Sequence, residues 1–349
     1  MGFSLSISLR NLFMVSVRNL ESGRTVLLPL LALLWHTMKT IRIFAKMTTA
    51  GGYGAVYNGI FSTGVPVAIK VLNGSSDKKI EEQFLAEVNT IGRTHHFNLI
   101  HLYGFCFDRG LPALVYEYME NGSLDRLLFH EHSHKLHEIA VGTAKGIAYL
   151  HEYCQQRIIH YDIKPANIHL DANFCPKVSD FGLAKLCNRE NMEVMMTGSR
   201  RPRESCFGML LFEIMGRKRN LDVNLPDSQE WFPRWVWKKF KKGQFQEVMV
   251  VCVIEEDKQK ADRLTMADLS CFQYRQELRP WMNAVVRMLE GGVEIVTPFN
   301  PFKHLMVKSP RQEPVIASTT SGERDQLLSQ LQNGPCRCST PIMMKYEID

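Results

Sequence analysis

The chain has 349 residues, 45% apolar and 10% aromatic, enough for a substantial core, which excludes a globally disordered polymer. That length holds one large domain or two of ordinary size. A formal net charge of +6 is modest and dispersed, whereas a nucleic-acid binder gathers its basic residues on one face. The nine cysteines contain no C-x-x-C pair, so neither a zinc site nor a disulfide framework is indicated. Free thiols in a reducing compartment fit them better.

Residues 1–44 carry no firm pattern. Met1-Gly2-Phe3-Ser4-Leu5-Ser6 fits the bare myristoylation pattern, against which the bulky Phe3 counts. Val26 to Trp35 is apolar but spans only about 15 Å as a helix, against a hydrocarbon core of roughly 30 Å. Extension to Ile43 takes in His36, Lys39 and Arg42. A degraded transmembrane helix, an interfacial helix and a signal-like segment all remain open, and the basic flank Lys39, Arg42 and Lys46 suits the cytoplasmic side.

Gly51-Gly52-Tyr53-Gly54 followed by alternating Val65, Val67 and Ile69 predicts strand, turn, strand. Gly51, Gly52 and Gly54 let backbone N–H groups approach phosphate oxygens, as a phosphate-cradling loop requires. Val67-Ala68-Ile69-Lys70 reads as a strand carrying a phosphate-binding lysine. The spacing predicts a helix over 78–93, with Phe84, Val88 and Ile91 on one side and Glu87 beside them. Lys70 and Glu87 are therefore candidates for an ion pair that positions the lysine on phosphates.

Further on, Leu114 to Leu124 reads as strand, polar turn and helix start, and Glu138 to His151 as a buried helix. The histidines at 130, 132, 134 and 137 match no zinc spacing and read as a polar loop leading into that helix. The basic run Trp237-Lys238-Lys239-Phe240-Lys241-Lys242 reads as a solvated helical face.

Ile158 to Gly182 carries the chemistry. Asp162, Lys164 and Asn167 fall close together, and Asp180-Phe181-Gly182 closes the stretch. One carboxylate to accept a hydroxyl proton, with an amide and a second carboxylate to hold Mg²⁺, suits phosphoryl transfer. Both halves occur in the order of the protein-kinase catalytic and Asp-Phe-Gly motifs.

With these motifs, the run from about Gly51 to Gly291 resembles the plant receptor-like serine/threonine kinases, most nearly the rust-resistance group. Lys135 to Glu152, Phe207-Gly208-Met209-Leu210-Leu211-Phe212-Glu213 and Arg279-Pro280-Trp281-Met282 carry the likeness. The resemblance implies an α+β, two-lobed kinase fold over residues 45–295, the β-rich lobe ending near 119. It also implies ATP with Mg²⁺, and a protein substrate or partner kinase. Asp162 and Lys164 would serve catalysis on Ser or Thr, and Asn167 and Asp180 the metal. Val56 and Ala68 would line the adenine pocket, Tyr116 would guard its back, and the backbones of Glu117 and Met119 would face the adenine edge. A plasma-membrane protein with a cytosolic kinase domain is implied, or a cytoplasmic one if the N-terminal segment does not span.

The sequence also departs from that family. Thr49 replaces the first loop glycine, and its β-branch stiffens the turn. Tyr161 replaces the arginine that pairs with an activation-loop phosphate. His169 replaces the leucine at the floor of the adenine pocket, where an imidazole either stacks on adenine or finds a partner, or costs roughly 1–3 kcal/mol unpaired. Between Gly182 and Phe207 the Ala-Pro-Glu platform is missing, Arg203 aligns with a bracing aspartate, and Arg279 loses its expected glutamate. An active kinase and a non-catalytic nucleotide-binding partner both fit this pattern. Residues 296–349 read as an extension, Pro298 to Phe302 capping the domain edge and 308–349 too polar to pack.

Overall fold

The computed structural model describes residues 42–51, 54–72, 77–108, 111–130, 135–187, 203–217, 219–220, 231–244 and 258–303. The expectations for the myristoylation pattern, most of the apolar N-terminal run, Gly52, the loop histidines 132 and 134, and the C-terminal tail lie outside them. The chain divides into two compact units, Met1–Met192 and Glu193–Asp349.

The first unit is built on a five-stranded antiparallel sheet in the order β1-β2-β3-β5-β4. Its strands are β1 (Arg42–Gly51), β2 (Gly54–Ile60), β3 (Pro66–Val71), β4 (Leu102–Asp108) and β5 (Leu111–Glu117). The period of two places Val67 and Ile69 in a core with Phe61 and Val115, which leaves Ala68 and Lys70 on the opposite face. The β1–β2 turn closes with Gly51 opposite Gly54. A Cβ on Gly54 would lie 2.1 Å from the Val71 carbonyl oxygen, and its φ is +138°, so only glycine fits there.

Helix α1 (Asp77–Ile91) follows β3 and buries Phe84, Ile91 and Glu87. Beyond the sheet come α2 (Leu124–His130) and α3 (Leu136–Ala148). The helix expected to run to His151 changes at Tyr149 into a wider π turn, Tyr149–Tyr153, where His96 stacks on Tyr149 with ring centroids 4.9 Å apart. Short antiparallel pairs then frame the catalytic loop: β6 (Arg157–Ile159) with β9 (Lys185–Cys187), and β7 (Ile168–Leu170) with β8 (Pro176–Val178). One-turn 3₁₀ segments, Pro165–Asn167 and Phe181–Leu183, carry the candidate metal-binding ends of the two motifs.

The second unit contains α4 (Arg203–Gly216), α5 (Phe232–Lys241), α6 (Lys258–Cys271) and α7 (Met282–Glu290). Helix α4 packs on α6 and buries Phe207, Leu210, Leu211, Phe212 and Ile214. The Pro298–Phe302 run packs against Trp231 and Gln273. Phe302 is buried edge-on to Trp231, and the Phe299 carbonyl accepts from Gln273 Nε2 at 2.8 Å. In α5, Val236 and Trp237 are buried while Lys238 and Lys241 face solvent, so the basic run is the wet side of an amphipathic helix. Arg279 donates from Nε to the Gln273 carbonyl at 2.7 Å. Asp268 is fully buried, and neither carboxylate oxygen has a hydrogen-bond partner. Among the described residues no helix is long and apolar enough to cross a membrane.

Candidate functional site

Every described candidate lies in the first unit. Strand β3 presents Lys70 to the face opposite its core residues. There Nζ lies 2.7 Å from Glu87 Oε1 and 2.8 Å from Asp180 Oδ1. Three elements distant in sequence (β3, α1 and the turn after β8) thus converge on one ammonium. Burial alone would push Lys70 down, but the Glu87 and Asp180 carboxylates reverse this and hold it above its usual range. Asp180 lies below the usual carboxylate range because the Lys70 cation outweighs its own burial. Burial raises Glu87 against the pull of Lys70, and its second oxygen, Oε2, accepts from the Tyr116 hydroxyl.

Tyr116 is buried, and burial beside Glu87 pushes its phenol well up, so it remains a neutral donor. Helix α1 also approaches the Asp180 turn closely: a Cβ on Gly182 would fall 2.5 Å from the Gln83 side chain.

The catalytic loop is assembled around His160. Its Nδ1 accepts from the Asp162 N–H at 3.2 Å, which leaves Nε2–H to donate to the Ser179 carbonyl at 2.8 Å. Burial holds this imidazole below its ordinary value, hence neutral, and its ring meets Phe181 edge-on at 4.7 Å. Tyr161 and Asp180 both adopt positive φ, 63° and 62°, conformations that non-glycine residues keep only where surroundings enforce them. Asp162 Oδ2 accepts from Lys164 Nζ at 2.8 Å and from Asn167 Nδ2 at 2.9 Å. Asn167 Nδ2 also donates to the Asp162 carbonyl at 2.8 Å, which commits its nitrogen and turns Oδ1 the other way.

Asn167 Oδ1 and the Asp180 carboxylate are the hard oxygens available to a cation. Mg²⁺ takes one or two such protein oxygens and completes its shell with phosphate and water. The donor set fits that metal, and no group of three or more His, Cys, Asp or Glu suited to a metal occurs among the described residues.

His169 has a partner. Ser179 Oγ donates to the Asn167 carbonyl at 2.9 Å, so it accepts from His169 Nδ1–H at 2.7 Å. Of the outcomes open for this imidazole, the structure shows the partnered one. Val56 on β2, Ala68 on β3 and His169 on β7 are all half-buried.

At the end of β5, Glu117 donates its N–H to the His101 carbonyl at 3.0 Å, and its carboxylate lies 3.5 Å from Lys177. Met119 is buried and accepts from the Gly122 N–H at 3.3 Å, which turns the chain into α2. Lys185 Nζ sits 5.7 Å from the centre of the Tyr161 ring, a cation beside the position where the family carries arginine.

Sequence reasoning named Lys70, Glu87, Asp162, Lys164, Asn167 and Asp180, which form two clusters, Lys70–Glu87–Asp180 and Asp162–Lys164–Asn167, joined through Ser179. It missed Ser179, which links His160, Asn167 and His169, although its place next to Asp180 was a usable signal. It also missed the second role of Tyr116, as a donor to Glu87.

Residues 46–201 match the Protein kinase domain family. The Rust resistance kinase Lr10 of Triticum aestivum is 38% identical over 295 residues, covering 76% of this chain and 46% of that protein. The PR5-like receptor kinase of Arabidopsis thaliana is 37% identical over 293 residues, covering 75% and 44%. A G-type lectin S-receptor-like serine/threonine-protein kinase of Arabidopsis thaliana is 42% identical over 274 residues, covering 71% and 31%. The chain therefore spans about half or less of the length of the relatives it matches. Its α+β sheet-and-helix architecture, its catalytic motifs and these relatives agree: the chain carries a protein kinase domain and is similar to the plant receptor-like kinases, the rust-resistance kinases among them.

Proposed function

We propose that the chain transfers the γ-phosphate of ATP to serine or threonine hydroxyls of a protein, as the kinase portion of a receptor-like protein. The observation that supports this best is the three-way junction of Lys70, Glu87 and Asp180. It holds a cation where α- and β-phosphates would be gripped and keeps a carboxylate beside it. Asp162 takes the hydroxyl proton as its oxygen attacks the γ-phosphorus and the bond to the β-phosphate oxygen breaks. Lys164 and Asn167, both bonded to Asp162 Oδ2, orient that carboxylate. Asn167 and Asp180 would hold Mg²⁺, which would supply positive charge against the phosphates. Gly51, Gly52 and Gly54 cover the phosphates, Val56, Ala68 and His169 enclose the base, and the Glu117 and Met119 backbones meet its edge.

Purified protein incubated with Mg-ATP is expected to phosphorylate itself or a generic protein on Ser or Thr, and Asp162→Asn is expected to abolish this. Folded wild-type protein that binds Mg-ATP but transfers nothing would overturn catalysis and leave a nucleotide-binding partner of another kinase. The relatives named as receptor-like kinases support attachment to a membrane with the kinase unit in the cytosol.

A further inference from the structure

Ser179 immediately precedes Asp180, and four hydrogen bonds meet on it. Its N–H and its hydroxyl both donate to the Asn167 carbonyl at 2.9 Å. Its carbonyl accepts from His160 at 2.8 Å, and its hydroxyl oxygen accepts from His169 Nδ1–H at 2.7 Å. The two residues that could hold a cation, Asn167 and Asp180, are thus tied together through Ser179.

Only the His169 bond comes from a side chain that the family pattern lacks, since a leucine at that position could donate nothing. The geometry of the hairpin explains why it can form. Strands β7 and β8 pair with His169 opposite Lys177, and Ser179 lies two residues past Lys177, on the same face as the pleat alternates. Diagonal neighbours of that kind reach each other when one side chain is long. The imidazole fills the bond from below while Asp180 remains at a φ of 62°, a conformation that needs external support.

We propose that His169 is a positioning residue for metal-assisted nucleotide binding, acting through Ser179 to hold Asn167 and Asp180 in register, a role that rests on the Mg-ATP reading above. On this account the histidine is a compensating brace, and its value is in metal affinity more than in contact with the base. Hydrogen bonds behind metal ligands typically change affinity about 10–100-fold.

The test compares the wild-type 349-residue chain with His169→Leu, which keeps bulk and removes the donor, and His169→Asn, whose amide N–H stands where Nδ1–H does. Binding of a fluorescent ATP analogue is titrated with Mg²⁺ and repeated in EDTA. Hydrogen exchange of the segment 176–183 is followed without any ligand.

His169→Leu is expected to raise the half-saturating Mg²⁺ concentration about tenfold, the lower end of that range. Affinity in EDTA should fall by a clearly smaller factor, because leucine keeps the packing contact with the base, and exchange around Ser179 should be faster. His169→Asn should restore most of the wild-type behaviour, and Ser179→Ala should add little to His169→Leu. An unchanged Mg²⁺ requirement in His169→Leu would overturn the proposal and leave the kinase reading standing. Equal weakening with and without metal would also overturn it, in favour of a direct base contact. Wild-type protein whose nucleotide binding ignores Mg²⁺ would overturn both.

Discussion

The candidate site in the first unit and Asp268 in the second treat buried acids in opposite ways. In 1–192, Lys70, Glu87, Asp162 and Asp180 all hold hydrogen-bonded partners of opposite charge or donor character. In 193–349, Asp268 is fully enclosed and has no partner on either oxygen. A buried ionic group keeps its value only when its partners are complete, and an orphaned one costs free energy. The candidate site has kept that completeness through several substitutions, although Asp125 Oδ1 in the same unit is buried without a hydrogen-bond partner. The unit that follows the shortened segment has not.

Substitutions should expose this contrast, and the largest effect belongs to the junction. Lys70→Met leaves Glu87 buried without its cation and should cost about 3–5 kcal/mol of stability, together with nucleotide binding. Urea unfolding followed by circular dichroism measures the first, and a fluorescent nucleotide the second. A loss under about 1 kcal/mol would mean that the junction is not closed in solution.

Asp268→Ala should act in the opposite sense, stabilising by about 1–3 kcal/mol once the unsatisfied carboxyl is gone. Its dependence on pH has a definite sign. Burial pushes the folded-state pKa of Asp268 well above the ordinary value, so between those two values the unfolded chain has released a proton that the folded chain keeps. Stability therefore falls as pH rises above about 4, by up to roughly 1.4 kcal/mol per unit. Thermal unfolding from pH 5 to 8 should show the advantage of Asp268→Ala growing with pH. A constant advantage would mean that Asp268 finds a partner.

Tyr116→Phe removes one donor from Glu87 and should cost about 1–2 kcal/mol, read as a lower unfolding midpoint with secondary structure unchanged. Lys185→Ala removes the cation beside Tyr161 and should cost no more than about 0.5–1 kcal/mol, the smallest change in the series.

The junction was legible because its members announce themselves in order: glycine-rich turn, strand with Lys70, helix with Glu87, then Asp162, Asn167 and Asp180. Residue types with one chemical use, at known spacings, reveal a site even before its geometry is seen. The brace was not legible, because a bond between His169 and Ser179 depends on the register of two three-residue strands, which composition cannot supply. The fate of Asp268 was hidden for a similar reason. Helical spacing places an acid on a face but not against a particular neighbour, and α6 buries residues nearly all the way round, Asp268 among them. The π turn at Tyr149–Tyr153 likewise inherits the apolar pattern of α3 and leaves no separate signal.

Hydrogen exchange with and without Mg-ATP tests the central claim most directly, that residues 1–192 hold an assembled nucleotide site. Protection is expected to concentrate in segments containing Lys70, Asp162–Asn167 and Ser179–Gly182, and to disappear in Lys70→Met. Wild-type protein in which Mg-ATP protects none of these segments would contradict it.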